Sequence, residues 1–199
     1  YISQEWFPTV MWRGKEIRET WIPVQREDNL WYYINGEGEF LSEQGWEDVD
    51  SFYDGWSRVQ WKKQFNYINE KNQLLSDEWF VEANPFLHGF ACIKTINGGW
   101  NLISANGQKL LPDNWADDVK NFNKRGRASV RRDGKWGIID RNGKIIVEPQ
   151  FNHIDGWNHS DVARVEIDNM NNYIDVSNGE LLLDRWASQG RLPRETKNG

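Results

Sequence analysis

The chain has 199 residues, 24 Lys and Arg against 30 Asp and Glu, a net charge of −6 and only 38% hydrophobic residues. It contains no run of about 18 apolar residues, so no membrane-spanning helix is expected; the acidic balance argues against broad phosphate binding, and the single cysteine, Cys92, excludes an internal disulfide. Thirteen Trp, nine Phe and six Tyr stand out in so polar a chain. Each ring can bury ~150–250 Å², so a few per segment supply a narrow core.

Residues 1–20 show no periodic pattern and read as an irregular N-terminal segment or partial cap. At 21–25, WIPVQ alternates in the manner of a strand. From Trp31 the run WYYINGEGEFL sets a pattern: an aromatic, an Ile, a small polar residue, a tight turn, then aliphatics. It returns as FNYINEKNQLL from Phe65, WNLISANGQKLL from Trp100, KWGIIDRNGKIIVEP from Lys135 and NNYIDVSNGELLL from Asn171. The anchor positions Trp31, Phe65, Trp100, Trp136 and Asn171 are 34, 35, 36 and 35 residues apart. A fixed period of this size predicts a repeat architecture in which each unit buries a face against its neighbours.

The rest of each unit recurs as well. A second aromatic follows (Trp46, Trp79, Trp115, Phe151, Trp186), then a small apolar residue (Val49, Ala83, Val119, Ile154), then Phe52, Phe86, Phe122 or Trp157. A closing strand ends the unit: WSRVQ at 56–60, FACIK at 90–94, RASVR at 127–131, VARVE at 162–166. The turns at 34–38, 104–107, 140–143 and 176–179 carry Gly or Asn-Gly, where positive φ costs little, and Asn72 serves the second unit. The predicted fold is all-β: a tandem array of about five three-stranded antiparallel units over 21–187, with a tail at 188–199. An open, solenoid-like superhelix is the expectation, with propeller-like closure the alternative. Between the second and third strands an irregular or single-turn helical loop is expected, holding EDVD (47–50) and ADDVK (116–120), with Asp48, Asp117 and Asp118 capping backbone amides.

The stretch DGKWGIIDRNGKIIVEPQFNHIDGW, residues 133–157, resembles a WG repeat, a module of bacterial and phage proteins. The resemblance rests on Trp136-Gly137, Ile138-Ile139-Asp140, Asn142-Gly143, Ile145-Ile146, Pro149 and Phe151. In the other four units Tyr32, Asn66, Asn101 and Asn172 replace the glycine, and the last also lacks the tryptophan. The resemblance implies WG-type repeats across nearly the whole chain and says little about activity.

Aromatics recurring at one place in successive units are what a stacked core needs. Trp31, Phe65, Trp100, Trp136, Trp46, Trp79, Trp115 and Phe151 are therefore expected in the core, with Trp100 and Trp136 nearly fully buried. Trp6, Trp12, Trp61 and Trp157 stand outside this register and are the candidates for stacking on a carbohydrate. Cys92, between Ala91 and Ile93, reads as a buried structural thiol. His153 and His159, with Asp155 and Asp161, lack the tight spacing of zinc motifs, so neither metal nor cofactor is expected. No nucleophile elbow, convergent acid–base pair or phosphate loop is visible, and the chain is not expected to be an enzyme.

Charge is uneven. Between 120 and 147, Lys120, Lys124, Arg125, Arg127, Arg131, Arg132, Lys135, Arg141 and Lys144 face only Asp133 and Asp140, and nine minus two leaves +7. Strand periodicity sets Arg127, Ser129 and Arg131 opposite Ala128 and Val130. The expected function is a non-catalytic binding or scaffold module, its contact surface at Lys124, Arg125, Arg127, Arg131 and Arg132 and its partner a protein with an acidic surface, ahead of nucleic acid. Two alternatives stay open: a carbohydrate-binding module using Trp61 and Trp157, and the targeting part of an effector whose enzymatic domain lies outside this sequence. With no signal peptide in view a cytoplasmic location is expected, although the sequence does not begin with Met and a leader could have been removed.

Overall fold

Short runs of Ile, Val, Tyr and Trp between turn residues suit half-buried pleated surfaces, and the chain forms strands wherever they occur. The structure, a computed structural model, describes residues 7–10, 21–156 and 161–188. Among these the first sheet joins β1 (Thr9–Val10), β2 (Ile22–Gln25) and β3 (Trp31–Ile34), and the second joins β4 (Asp48–Val49), β5 (Trp56–Trp61) and β6 (Gln64–Asn69). The third contains β7 (Glu82–Ala83), β8 (Phe90–Lys94) and β9 (Trp100–Ser104). The fourth contains β10 (Asp118–Val119), β11 (Arg127–Arg132), β12 (Lys135–Asp140) and β13 (Ile145–Phe151). The fifth contains β14 (His153–Asp155), β15 (Val162–Ile167), β16 (Met170–Asp175) and β17 (Ala187–Ser188). Every sheet is an antiparallel meander in chain order, and no helix occurs among the described residues. The chain divides into two compact units, Tyr1–Asn114 with the first three sheets and Trp115–Gly199 with the last two.

The sheets run out of phase with the sequence units. The second, third and fourth begin at the acidic segment rather than at the anchor: Asp48 and Val49 pair with Gln60 and Val59, Glu82 and Ala83 with Lys94 and Ile93, Asp118 and Val119 with Arg131 and Val130. The expected loop is thus a short edge strand. The aliphatic pair makes only single bridges in four repeats (Ile34 with Phe40, Ile68 with Leu74, Ile103 with Lys109, Ile174 with Leu181). It becomes a full strand, β13, only in the fourth.

Turn chemistry matches the sequence pattern closely. In three repeats the residue after the strand's last Ile accepts backbone amides two and four residues on: Asn35 Oδ1 from Glu37 and Glu39, Asn69 Oδ1 from Lys71 and Gln73, Asp140 Oδ1 from Asn142 and Lys144. These bonds tie the side chain across a tight turn closed by a left-handed residue, Asn72 at φ 57° and Gly143 at φ 77°. Across the neighbouring hairpins, Asp117 Oδ2 accepts from Gly134 N at 3.0 Å, Glu47 Oε2 from Lys63 N at 3.1 Å and Asn152 Oδ1 from Asp168 N at 3.1 Å. Asp117 is therefore a capping residue as expected. Asp118 instead pairs with Lys120 at 2.9 Å.

The four replacements of the WG glycine have a physical explanation. A Cβ on Gly137 would lie 2.4 Å from Val147 O and 2.7 Å from Pro149 N, so β13 packs directly on the bare backbone of β12. Where Asn stands instead, its amide spans a wider gap. Asn66 Nδ2 donates to Ser76 O (2.8 Å) and Glu78 O (3.1 Å), Asn101 Nδ2 to Leu111 O (2.8 Å) and Asn172 Nδ2 to Leu183 O (3.0 Å). Each Asn Oδ1 accepts the next residue's N–H, and Asn101 Oδ1 also accepts from Leu111 N at 3.0 Å. All three are buried with their amides bonded, as a buried polar group must be. In the first repeat Tyr32 takes the position and Gly45 makes room, since a Cβ there would lie 2.6 Å from the Tyr32 ring.

The expected burial of the anchors is overturned. Trp31, Phe65, Trp100 and Trp136 are only half-buried, whereas the residues opposite them, Trp46, Phe80 and Phe151, are 1–3% exposed. The bridges Trp31–Trp46, Phe65–Phe80 and Trp136–Phe151 set the repeat register, so Trp79, Trp115 and Trp186 lie one residue before the core position and are half-buried. Contact between repeats passes through this second set: Trp46 meets Trp79 with centroids 6.2 Å apart and Phe151 meets Trp186 at 6.4 Å.

Candidate functional site

On the fourth sheet the basic residues divide by position. Arg127 lies opposite Asp140, half-buried, its Nη1 donating to the Gly126 carbonyl at 3.3 Å. Arg131 pairs with Trp136 across the strands and Arg132 with Lys135. Ser129, between Arg127 and Arg131, is 7% exposed, so the expected stripe is interrupted: its centre is covered, and the exposed cations divide between the far end of the β11–β12 pair (Lys124, Arg125, Arg141, Lys144) and its hairpin end (Arg131, Arg132). There the half-buried indoles act as platforms. Lys120 Nζ and the Arg131 guanidinium lie 5.3 and 6.0 Å from the Trp136 ring centre, and the Arg132 guanidinium 5.1 Å from that of Trp115. A cation held over an indole keeps its charge at the surface and gives up rotamer freedom in advance. Lys124 is exposed, and Arg125 pairs with Asp161.

In other repeats a cation also lies over the anchor ring, from the equivalent position in Lys94 and from two residues before it in Arg58. Lys94 Nζ lies 5.6 Å from Trp100, and the Arg58 guanidinium 5.1 Å from Phe65. Arg58 also bonds Asp50 Oδ2 at 2.9 Å and Ala83 O at 2.7 Å, which joins two successive repeats. Tyr33 and Tyr67 donate their hydroxyls to Asp50 O (3.0 Å) and Asn84 O (2.6 Å), and burial pushes both phenols up from their usual pKa.

Trp61 is half-buried against Tyr33, Trp46, Val49, Val59 and Ile68. Trp6, Trp12 and Trp157 lie outside the described residues, as does His159. His153 Nε2 sits 3.3 Å from Asp155 Oδ2, but Asp155 is held by Arg164 through Nε at 3.0 Å and Nη2 at 2.5 Å. The Arg164 hydrogen bonds hold the Asp155 carboxyl below the usual carboxylate range. No group of His, Cys, Asp or Glu placed to hold a metal occurs among the described residues. Cys92 is 1% exposed. The cation–indole pairs were not legible in advance, although the recurrence of a long polar residue just before each hairpin (Lys94, Arg131) was a usable signal.

Residues 117–136 and 136–170 match the family model for the WG containing repeat, and the boundary at Trp136 coincides with the anchor on β12. No curated protein matches the chain. Among solved structures it is similar to Hsv2p of Kluyveromyces lactis, at 11% identity over 89% of this chain and 66% of that one, with a TM-score of 0.45. It is also similar to the computationally designed Ika8 protein, at 12% identity over 92% and 62% with a TM-score of 0.43. The WD40 domain of SCAP from fission yeast is similar at 12% identity over 90% and 55%, with a TM-score of 0.38. The chain spans less than two thirds of the length of each of these. No helix among the described residues is long and apolar enough to cross a membrane.

Proposed function

We propose that the chain is an array of WG-type repeats throughout and acts as a non-catalytic interaction module. The proposed contact surface is the hairpin end of the fourth sheet, and the partner is a protein with an acidic surface. One observation carries the reading: Lys120, Arg131 and Arg132 are laid over Trp136 and Trp115 on a molecule whose net charge is −6. Cations pre-set on apolar platforms offer a partner both charge and ring area, and Arg and Trp are the residues enriched at binding hot spots. Arg127 is a weaker contributor than the sequence implied, because it is half-buried and bonded to the Gly126 carbonyl. The overall acidity favours a localised protein contact over a nucleic-acid backbone. Steering by such a patch accelerates encounter and is screened by salt.

The test is a pull-down from host lysate with the unaltered chain and with the pair Arg131→Glu and Arg132→Glu. The expected outcome is a partner lost on reversal while thermal stability holds, with an association rate that falls as salt rises. Binding that survives both reversals and ignores salt would remove the patch from the contact surface.

A further inference from the structure

The turns at the far end of the fourth sheet carry charge that the fold does not require. The β10–β11 turn holds Lys124 and Arg125, and the β12–β13 turn holds Arg141 and Lys144, all four exposed. The second and third repeats close matching turns, Asn69 N to Gln73 O and Ser104 N to Gln108 O, as Asp140 N does to Lys144 O. In place of Arg141 and Lys144 the second has Glu70 and Gln73, and the third Ala105 and Gln108. In place of Lys124 they have Asp54 and His88. The same turns therefore form without this set of cations.

The two turns are also tied to one another and held in shape. Tyr53 N bonds to Trp56 O across two residues, whereas Asn123 N bonds to Arg127 O across three, so this turn is one residue longer than its counterpart. Asn123 fixes the longer turn: its Oδ1 accepts Arg125 N at 3.0 Å and Arg127 N at 3.1 Å, and Gly126 closes it at φ 76°. Arg141 lies over it, since a Cβ on Gly126 would come 3.0 Å from Arg141 Nε and 3.2 Å from Arg141 Cδ. The pairing of Arg127 with Asp140 keeps the turns side by side. Nearby acids are engaged already: Asp140 Oδ1 accepts the amides of Asn142 and Lys144, and Asp161 pairs with Arg125. Cations presented on a fixed backbone lose less freedom when a partner arrives.

We infer that these two turns form a second interaction surface, which takes an acidic peptide segment of a partner protein. It is separate from the hairpin end. The strand β11 runs from Arg127 to Arg132, about 17 Å at the usual strand rise, and between them Ala128, Ser129 and Val130 are 0%, 7% and 0% exposed. Neither turn contains an aromatic residue, so nucleic-acid bases would find no ring to stack on, unlike at the hairpin end with Trp136. The net charge of −6 opposes a long phosphate backbone as well. Carboxylates along an extended segment can reach cations of both turns and form charge-assisted bonds with them. With a contact at each end, one sheet can hold two segments at once. The inference stands whether or not the hairpin end binds.

The experiment is an NMR titration of the isotope-labelled full chain with an octaglutamate peptide, at about 0.05 M and about 0.15 M salt. The unaltered protein is compared with the pair Lys124→Glu and Lys144→Glu and with the pair Lys62→Glu and Lys71→Glu. Lys62 and Lys71 are exposed on the second repeat, so that pair changes the net charge equally without touching the two turns. A thermal scan of each variant separates lost binding from unfolding. The expected result is saturable amide shifts at 123–127 and 140–144 that shrink as salt rises. They disappear in the first pair, persist in the second, and are smaller with a thymidylate octamer. Turns that do not respond, shifts that survive the first pair, equal loss in both pairs, or a larger response to the thymidylate octamer would each overturn it. Shifts at 131–136 report on the hairpin end alone, so the two surfaces fail separately.

Discussion

At Gly137 a methyl group would meet both Val147 O and Pro149 N, which are backbone atoms that can move only with the strand. Gly137→Ala is expected to destabilise the protein by about 2–3 kcal/mol, measured by chemical denaturation. Asn101→Ala should cost about 2 kcal/mol for the opposite reason: it strips the bonds to Leu111 N, Leu111 O and Leu102 N inside a buried site. Ionisation is set locally too. The bond from Arg164 lowers the folded pKa of Asp155, so its contribution is present above the unfolded value of about 3.9 and fades as pH falls through the folded one. Both side chains are more than a third exposed, and screening limits the effect to about 0.5 kcal/mol. The stability gap between Asp155→Asn and the parent should therefore be open at pH 7 and closed near pH 2, as followed by thermal scans across that range. The raised phenols of Tyr33 and Tyr67 act with the opposite sign. Their stabilisation is complete below about pH 10 and is lost as pH climbs beyond it.

Within a repeat, the paired rings Trp136 and Phe151 carry unequal loads. Phe151 is 3% exposed in a cluster with Ile138, Val147, Ala163, Val165, Ile174 and Val176, so Phe151→Ala should cost about 3–5 kcal/mol. Trp136→Ala should cost less, about 1–2 kcal/mol, because its ring is only partly buried and lies beside the Lys120 and Arg131 cations. Equal costs in urea titrations would show that the anchor is a core residue after all. The sequence carried the period, the antiparallel meander and the turn code, because each rests on a residue type with a local consequence: Asn35, Asn69 and Asp140 close turns wherever they occur. Ring burial was harder to read. Trp79 precedes Phe80, Trp115 precedes Ala116 and Trp186 precedes Ala187, and a search for the next aromatic selects the larger ring in each case. In strands a slip of one residue exchanges the faces; the anchors Trp31, Phe65 and Trp136 are a different case, since each shares a face with the sealed residue paired to it and is the more exposed member of that pair. Ser129 shows why the stripe was overread: a polar residue on the expected outer face is covered by tertiary contacts that no local pattern reports.

For the molecule as a whole, stability in a stacked array is a sum of repeat terms and nearest-neighbour terms. Phe151 reaches Trp186 of the next repeat, so truncating it should weaken β15 and β16 as well as β12 and β13. Hydrogen exchange would record this as protection lost from about 136 to 176 together, rather than from the β13 amides alone. The charge distribution belongs to this scale too. The whole chain is acidic while residues 120–147 carry +7 (nine cations less two anions), a contrast that puts the field of one sheet at odds with its surroundings.

The asparagine at the WG position changes how such a chain can evolve. Between two backbones in direct contact, as at Gly137 and Val147, the ladder already carries register shifts on both sides of Ile138, and no side chain is there to take up a further residue. A side-chain amide is a clasp with adjustable reach: Asn66 grips carbonyls 10 and 12 positions on, Asn101 one 10 on, Asn172 one 11 on. Repeats fastened in this way can absorb small insertions and deletions in the intervening loop. A library of one-residue insertions should accordingly be tolerated between Gln108 and Leu110, under the clasp of Asn101, and rejected between Lys144 and Val147.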